Sequence, residues 1–298
     1  MRISAISYLN TAPLMWDFEH GPAGRDFDIS YTVPSQCAAE LANGTADIGI
    51  IPSAAYASIP DLAIIPGVAI AAKQAVRSIL LVSHKSLEDI KTVALDNSSL
   101  TSVALTQVLF EKFWGGQRVF VSAAPDLDAM LAESDAALLI GDPALQVDRA
   151  RYQTWDLAEE WVHFTGKPFV FAFWAVRQGA LKDCNLDLAA IFQMSRDHGL
   201  SRANLDQIVK TWSAKLGLST DAVREYLTRS IHFQFDSDCI EGLQLFYRYT
   251  HECGLLPRAP GQRFVRTPTH TKGGKHPETF VTGPFPVSSS SRIKPRST

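Results

Sequence analysis

Residues 92–114 read TVALDNSSLTSVALTQVLFEKFW. The opening four form a short apolar run, a cluster of hydroxyl and amide side chains follows, and the remainder places apolar residues three and four apart, as on one face of a helix. A strand that ends in small polar residues and turns at once into a helix is the unit of parallel sheets, because the helix carries the chain back across the sheet. The same order stands at 47–56, DIGIIPSAAY, and at 2–14, RISAISYLNTAPL.

Working outward, strand-like runs are expected at 2–6, 27–33, 47–51, 62–71, 78–83, 92–95, 118–122, 136–140 and 169–176, with helical segments between them. VPSQCAAELANG offers Ser35 as a helix N-cap and Gly44 as a stop. From about residue 183 the pattern changes to successive helices through NLDLAAIFQMSRDHG, NLDQIVKTWSAKLG, STDAVREYLTRS and SDCIEGLQLFYRYTHECG. The fold class is therefore α/β, a mixed sheet architecture flanked by helices.

At 298 residues, with 46% hydrophobic and 20% charged side chains, the chain suits two domains of ordinary size. Its net charge of -3 hides a split, since residues 258–298 hold eight Lys/Arg against Glu278 alone. The acidic body shows no basic patch with interleaved aromatics, so nucleic acid is not an expected partner. No apolar run approaches the roughly 20 residues that span a bilayer. The first residues, MRISAISYLNTAPL, lack the apolar stretch and cleavage site of a secretory signal, which makes a cytoplasmic location the expectation. Cys37, Cys184, Cys239 and Cys253 are scattered without metal or disulfide spacing and are expected to be reduced packing residues. After Pro257 the chain is rich in Pro, Gly, Ser and Thr, and residues 258–298 are expected to be a disordered basic tail.

Dinucleotide, P-loop, zincin and nucleophile-elbow motifs are absent. What remains is a set of polar loops at strand ends, where open α/β sheets form ligand clefts. Ser7, Asn10 and Thr11 follow the first strand, and Ser53 follows the strand at 47–51. Ser98, Ser99, Thr101 and Ser102 precede a long helix whose free N–H groups favour an anion. A cap needs one hydroxyl, and this loop supplies four. GVAIAAKQAVRSILLVSH, which contains Ser78, and TGKPFVFAFWAVR are long extended runs that suit two crossings between lobes.

Taken together, SYLNTAPL, PSQCAAELANGTADIGIIPSAAYA, IIPGVAIAAKQAVRSILLVS, KTVALDNSSLTSVAL, LLIGDPAL and DLAEEWVHFTGKPFVFAFWAVR resemble the chorismate dehydratase family of the futalosine route to menaquinone. The resemblance implies a type II periplasmic-binding-protein-like fold, with residues 1–84 plus 177–257 as one lobe, 85–176 as the other and the cleft between them. It implies a lyase that removes water from chorismate, a small-molecule substrate, to give 3-[(1-carboxyvinyl)oxy]benzoate without cofactor or metal. Asn10 and Ser78 are then the candidate catalytic groups, and Ser7, Thr11, Ser53, Ser98, Ser99, Thr101 and Ser102 the candidate substrate-binding ones. The proton acceptor stays open between a carboxylate of the substrate and His163, the one imidazole in these segments. A 1,4-dihydroxy-6-naphthoate synthase of the same pathway and a non-catalytic small-anion-binding protein are the alternatives.

Overall fold

The computed structural model describes residues 1–182 and 184–266 in full and the backbone of 279–282. Its strands, in chain order, are β1 (Arg2–Ile6), β2 (Asp28–Thr32), β3 (Ile48–Pro52), β4 (Leu62–Ala72), β5 (Ile79–Ser83), β6 (Thr92–Asp96), β7 (Val119–Ala123), β8 (Ala136–Ile140), β9 (Gln153–Asp156), β10 (Phe169–Arg177), β11 (Gln262–Val265) and β12 (Thr279–Thr282). They form two mixed sheets, ordered β12-β11-β4-β10-β3-β1-β2 and β7-β6-β8-β5-β9. In the first, β1 runs parallel to β2 and β3, and β10 runs antiparallel to β3 and β4. In the second, β6 runs parallel to β7 and β8, and β5 antiparallel to β8 and β9.

Both lobe boundaries expected at 84 and 176 move. β5 is buried along its whole length and paired on both sides in the second sheet, so the chain has crossed by residue 78. β10 is buried from Phe169 to Val176 and lies between β3 and β4, so the return crossing falls at 166–168, before the strand. Its unbroken apolar run is that of a central strand covered on both faces. The expected strands are otherwise present to within a residue or two. β9 was not expected, because QTWD is short, polar and at a sheet edge.

The helix Pro34–Asn43 begins two residues earlier than a Ser35 cap requires. Val33 holds the cap position, and Pro34 occupies the first turn, where its missing N–H costs nothing. The helix Leu100–Leu109 is capped by Ser99, whose Oγ accepts the Ser102 N–H at 3.4 Å. The four expected C-terminal helices are Leu188–Gly199, Arg202–Leu216, Thr220–Glu225 and Ser237–Glu252.

One apolar core runs through both sheets. Leu105, Val108 and Leu109, which belong by chain to the second sheet, pack with Phe246, Phe169 and Trp161 in it. A smaller cluster of Leu80, Val82, Met130, Ala137 and Leu139 forms a separate core against the second sheet.

The segment expected to be a disordered tail joins the first sheet instead. β11 pairs with β4 through Phe264 and Ile64, with Gln262, Phe264 and Val265 buried, and β12 pairs with β11. A four-residue strand is lost when composition is averaged over a long polar stretch. Residues 267–278 and 283–298 of that expectation lie outside the described residues.

The helix Ser237–Glu252 sits so close to the return crossing that a Cβ on Gly242 would meet the Pro168 carbonyl oxygen at 2.1 Å. Gly242→Ala is expected to cost about 1–3 kcal/mol through overpacking, less the ~1 kcal/mol regained in helix propensity. Urea denaturation reads it, and a raised midpoint would contradict the close approach.

Candidate active site

The carboxyl ends of β1, β3, β6 and β8 meet the middle of β10 between the two sheets. The cleft there holds about 450 Å³ of atom-free space and opens to solvent on one side. Ile6, Ile70, Ile79, Ile140, Phe171, Ala172, Pro34 and Pro52 give it an apolar floor and walls, and Tyr8, Asn10, Ser78, Ser99 and Ser102 give it polar groups. Each lining side chain is uncharged. Gly141 completes the lining; its φ is +63°, and a Cβ would stand 3.0 Å from the Tyr8 ring. A larger side chain there would be strained and would push Tyr8 aside.

Of the candidates, Asn10, Ser78, Ser99 and Ser102 are brought together on the cleft surface. Tyr226 OH donates to Ser78 Oγ at 2.9 Å, and Asn10 lines the same cleft. Burial pushes the Tyr226 hydroxyl well above the ordinary phenol range, so it remains a proton donor. With its lone pair engaged by Tyr226, Ser78 keeps its own proton for a ligand. Ser99 and Ser102 stand at the N-terminus of Leu100–Leu109, where first-turn N–H groups lack partners within the helix.

The other five candidates lie outside the lining. Ser53 is fully buried, and its Oγ donates to the Val170 carbonyl at 2.6 Å. Thr101 Oγ1 accepts the Ala54 N–H at 3.0 Å, which ties the second-sheet helix to the end of β3. Thr11 donates to Asn10 Oδ1 at 3.3 Å and so orients a lining amide. Ser98 donates to Asp96 Oδ1 at 2.6 Å. Ser7 is exposed beyond β1. Hydroxyls in strand-end loops are as useful for closing a fold as for holding a ligand, and sequence alone does not separate the two uses. His163 is exposed, its ring against Phe164 at 5.0 Å, also outside the lining.

Tyr8, Gly141, Asp142 and Tyr226 are neighbours of the cleft that were not singled out from the sequence. Tyr8 and Gly141 sit inside quoted motifs and could have been. Asp142 Oδ1 accepts the Leu9 N–H at 3.2 Å across the two sheets, and burial raises its pKa despite that bond. Tyr226 had no signal, since it reaches Ser78 from 148 residues away in the helical C-terminal part.

Behind Tyr226 and Leu9 lies a second cavity of about 850 Å³, lined by Arg77, Arg149 and Asp148 among others. His232, Asp236 and Cys239 also bring possible ligand atoms within 4.8 Å of one another, a grouping that spacing did not suggest. The Asp236 carboxylate is already engaged by Lys73 at 2.7 Å, by His232 at 2.9 Å and by the Cys239 N–H at 3.0 Å. That cluster reads as an ion-paired helix cap.

Two sheets with a cleft at their strand ends define the periplasmic-binding-protein architecture, and solved structures agree. Similar chains include the alkanesulfonate-binding protein SsuA of Xanthomonas axonopodis, bound to MOPS, with a TM-score of 0.63 and 17% identity over 87% of this chain and 94% of that one. A Candida albicans protein described as having the generic periplasmic-binding-protein fold matches with a TM-score of 0.60 and 12% identity over 87% and 92%. An Archaeoglobus fulgidus protein matches with a TM-score of 0.69 and 17% identity over 86% and 98%.

The profile of a family described as menaquinone biosynthesis matches residues 1–252, and the chain belongs to that family. It is 28% identical over 241 residues to the chorismate dehydratase of Thermus thermophilus, covering 74% of this chain and 84% of the relative. Among the described residues, no helix is long and apolar enough to cross a membrane.

Thr101→Val keeps the side chain's shape and leaves the buried Ala54 N–H without an acceptor. It is expected to cost about 1–3 kcal/mol of stability. Chemical denaturation beside a ligand titration separates the roles: lost affinity at unchanged stability would put Thr101 on the ligand.

Proposed function

We propose that the protein is a chorismate dehydratase, converting chorismate to 3-[(1-carboxyvinyl)oxy]benzoate in the cytoplasm without metal or organic cofactor. The observation that carries the reading is the gathering of Asn10 and Ser78, the latter held by the buried phenol of Tyr226, in a neutral cleft facing a helix N-terminus. The similarity to a chorismate dehydratase supports the same reading.

Chorismate carries two carboxylates, a ring hydroxyl and an enolpyruvyl ether. Ser99, Ser102 and the first N–H groups of Leu100–Leu109 suit one carboxylate, through charge-assisted bonds and the positive end of the helix dipole. The isoleucines and Phe171 suit the ring. Asn10 and Ser78 hold the oxygen substituents, and Ser78 contributes the hydroxyl proton that Tyr226 leaves free.

The reaction breaks a ring C–H bond and the C–O bond of the hydroxyl. The C–H electron pair becomes the last ring double bond, and the leaving oxygen departs with its own hydrogen and one proton as water. The lining offers hydroxyls and an amide, and its side chains include no Glu, Asp, Lys, Cys or His. A carboxylate of the bound substrate therefore takes the ring proton, and catalysis is chiefly orientation and exclusion of water, with aromatisation as the driving force.

Metal-stripped protein incubated with chorismate and followed by proton NMR is expected to form the aromatic enolpyruvyl ether. Binding without reaction would favour the non-catalytic reading. Absence of both binding and reaction would direct the search to the naphthoate synthase reaction. Asn10→Ala is expected to lower kcat by about 10²–10³-fold, as for loss of one donor to developing charge. His163→Ala is expected to stay within about twofold, because general-base loss would cost about 10²–10⁴-fold. Abolished turnover with binding intact in His163→Ala would overturn the substrate-base assignment.

A further inference from the structure

Ser78 directly follows a backbone conformation that its neighbour does not adopt readily. Arg77 has φ +67°, in the left-handed region that side chains other than glycine rarely occupy. Its guanidinium reaches Glu225 at 3.4 Å on the surface, which does not fix the backbone.

The backbone is held by Asp156, which is 4% exposed at the end of β9. One carboxylate oxygen accepts the Val76 N–H at 3.1 Å, and the other accepts the Arg77 N–H at 2.6 Å. The first oxygen also accepts Ala158 N–H at 3.1 Å and Glu159 N–H at 3.3 Å, the start of the helix Leu157–Thr165. One buried carboxylate thus gathers N–H groups from the first crossing and from a helix N-terminus. Immediately beyond the turn, the Ser78 carbonyl accepts Gly141 N–H at 2.7 Å, and its Oγ accepts from Tyr226. A left-handed residue reverses the direction in which the next side chain projects, so releasing Arg77 to an ordinary conformation would turn the Ser78 hydroxyl off the cleft wall.

We propose that Asp156 is a positioning residue: its carboxylate holds Arg77 left-handed by binding the Val76 and Arg77 N–H groups, and thereby aims the Ser78 hydroxyl into the cleft. The assignment rests on the reading of Ser78 as a group that contacts the substrate.

The test uses the full-length chain with Asp156→Asn, Arg77→Gly and the double variant. Asp156→Asn puts amide N–H groups where an acceptor is needed, and kcat with chorismate is expected to fall by about tenfold or more, the scale of a misplaced reacting group. Arg77→Gly alone is expected to remain within about twofold, since glycine takes the left-handed conformation without help. In the double variant glycine should recover most of the lost kcat. A carboxylate that merely caps the helix Leu157–Thr165 predicts lower stability in both Asp156→Asn backgrounds and no rescue of kcat by glycine. A double variant no more active than Asp156→Asn would overturn the proposal. Crystal structures of the variants give a readout independent of the reaction. The Tyr226–Ser78 contact of 2.9 Å is expected to be lost in Asp156→Asn and regained in the double variant. Its survival in Asp156→Asn would overturn the proposal whatever the substrate proves to be. If Asp156→Asn does not fold, the comparison passes to the double variant against Arg77→Gly. Equal kcat and an intact Tyr226–Ser78 contact are then expected, and loss of either contradicts the proposal. A wild-type chain inert toward chorismate would sink the functional reading and leave the structural comparison decisive.

Discussion

The helix Leu100–Leu109 belongs to the second sheet by chain connection and packs against elements of both sheets. It leaves β6 and buries Leu105, Val108 and Leu109 in the common core, against the helix Ser237–Glu252 and β10. Thr101 then fixes its first turn to the end of β3 through the Ala54 N–H. A buried apolar face cannot slide without exposing its area to water, at about 25 cal/mol per Å². The helix N-terminus is therefore held at a fixed distance from β1, β3 and β10, and the cleft is the space that remains between them. The Leu9 N–H bond to Asp142 makes a second tie between the sheets beside it.

On the proposed function, this placement lets a neutral lining address the carboxylates of chorismate. Lysine or arginine in so small a cleft would carry a desolvation cost of its own, whereas helix N–H groups and hydroxyls are already oriented by the fold. Orientation is then supplied from outside the lining: Thr11 acts on Asn10, Tyr226 on Ser78, and Asp156 on the turn before Ser78. A cleft of this kind combines polar lining groups with side chains held in place from behind, the fixed geometry that the proposed turnover requires.

Much of the fold was legible because its strands are short apolar runs that end abruptly in polar loops. β1, β5 and β6 could be placed to within two residues, and with them the four cleft residues Asn10, Ser78, Ser99 and Ser102. β9 and β11 were not legible, since QTWD and QRFV are too short and too polar to show a period and become strands only by pairing with β5 and β4. The serines and threonines split for a physical reason. Thr101 faces the opposing sheet and accepts there, Ser53 donates to β10 of its own sheet, and Ser99 and Ser102 face the gap, a difference of direction that depends on long-range packing. Tyr226, Asp142 and Asp156 act through contacts between segments far apart in the chain, which no local pattern encodes.

The measurement that most directly tests this account is the crystal structure of the Asn10→Ala variant soaked with chorismate. The ligand is expected between the sheets, with one carboxylate at the start of Leu100–Leu109 beside Ser99 and Ser102, its ring on Ile70 and Phe171, and an oxygen substituent within hydrogen-bonding distance of Ser78. Chorismate seated instead behind Tyr226, against Arg77 and Arg149, would contradict the claim that the neutral cleft is the site of the chemistry.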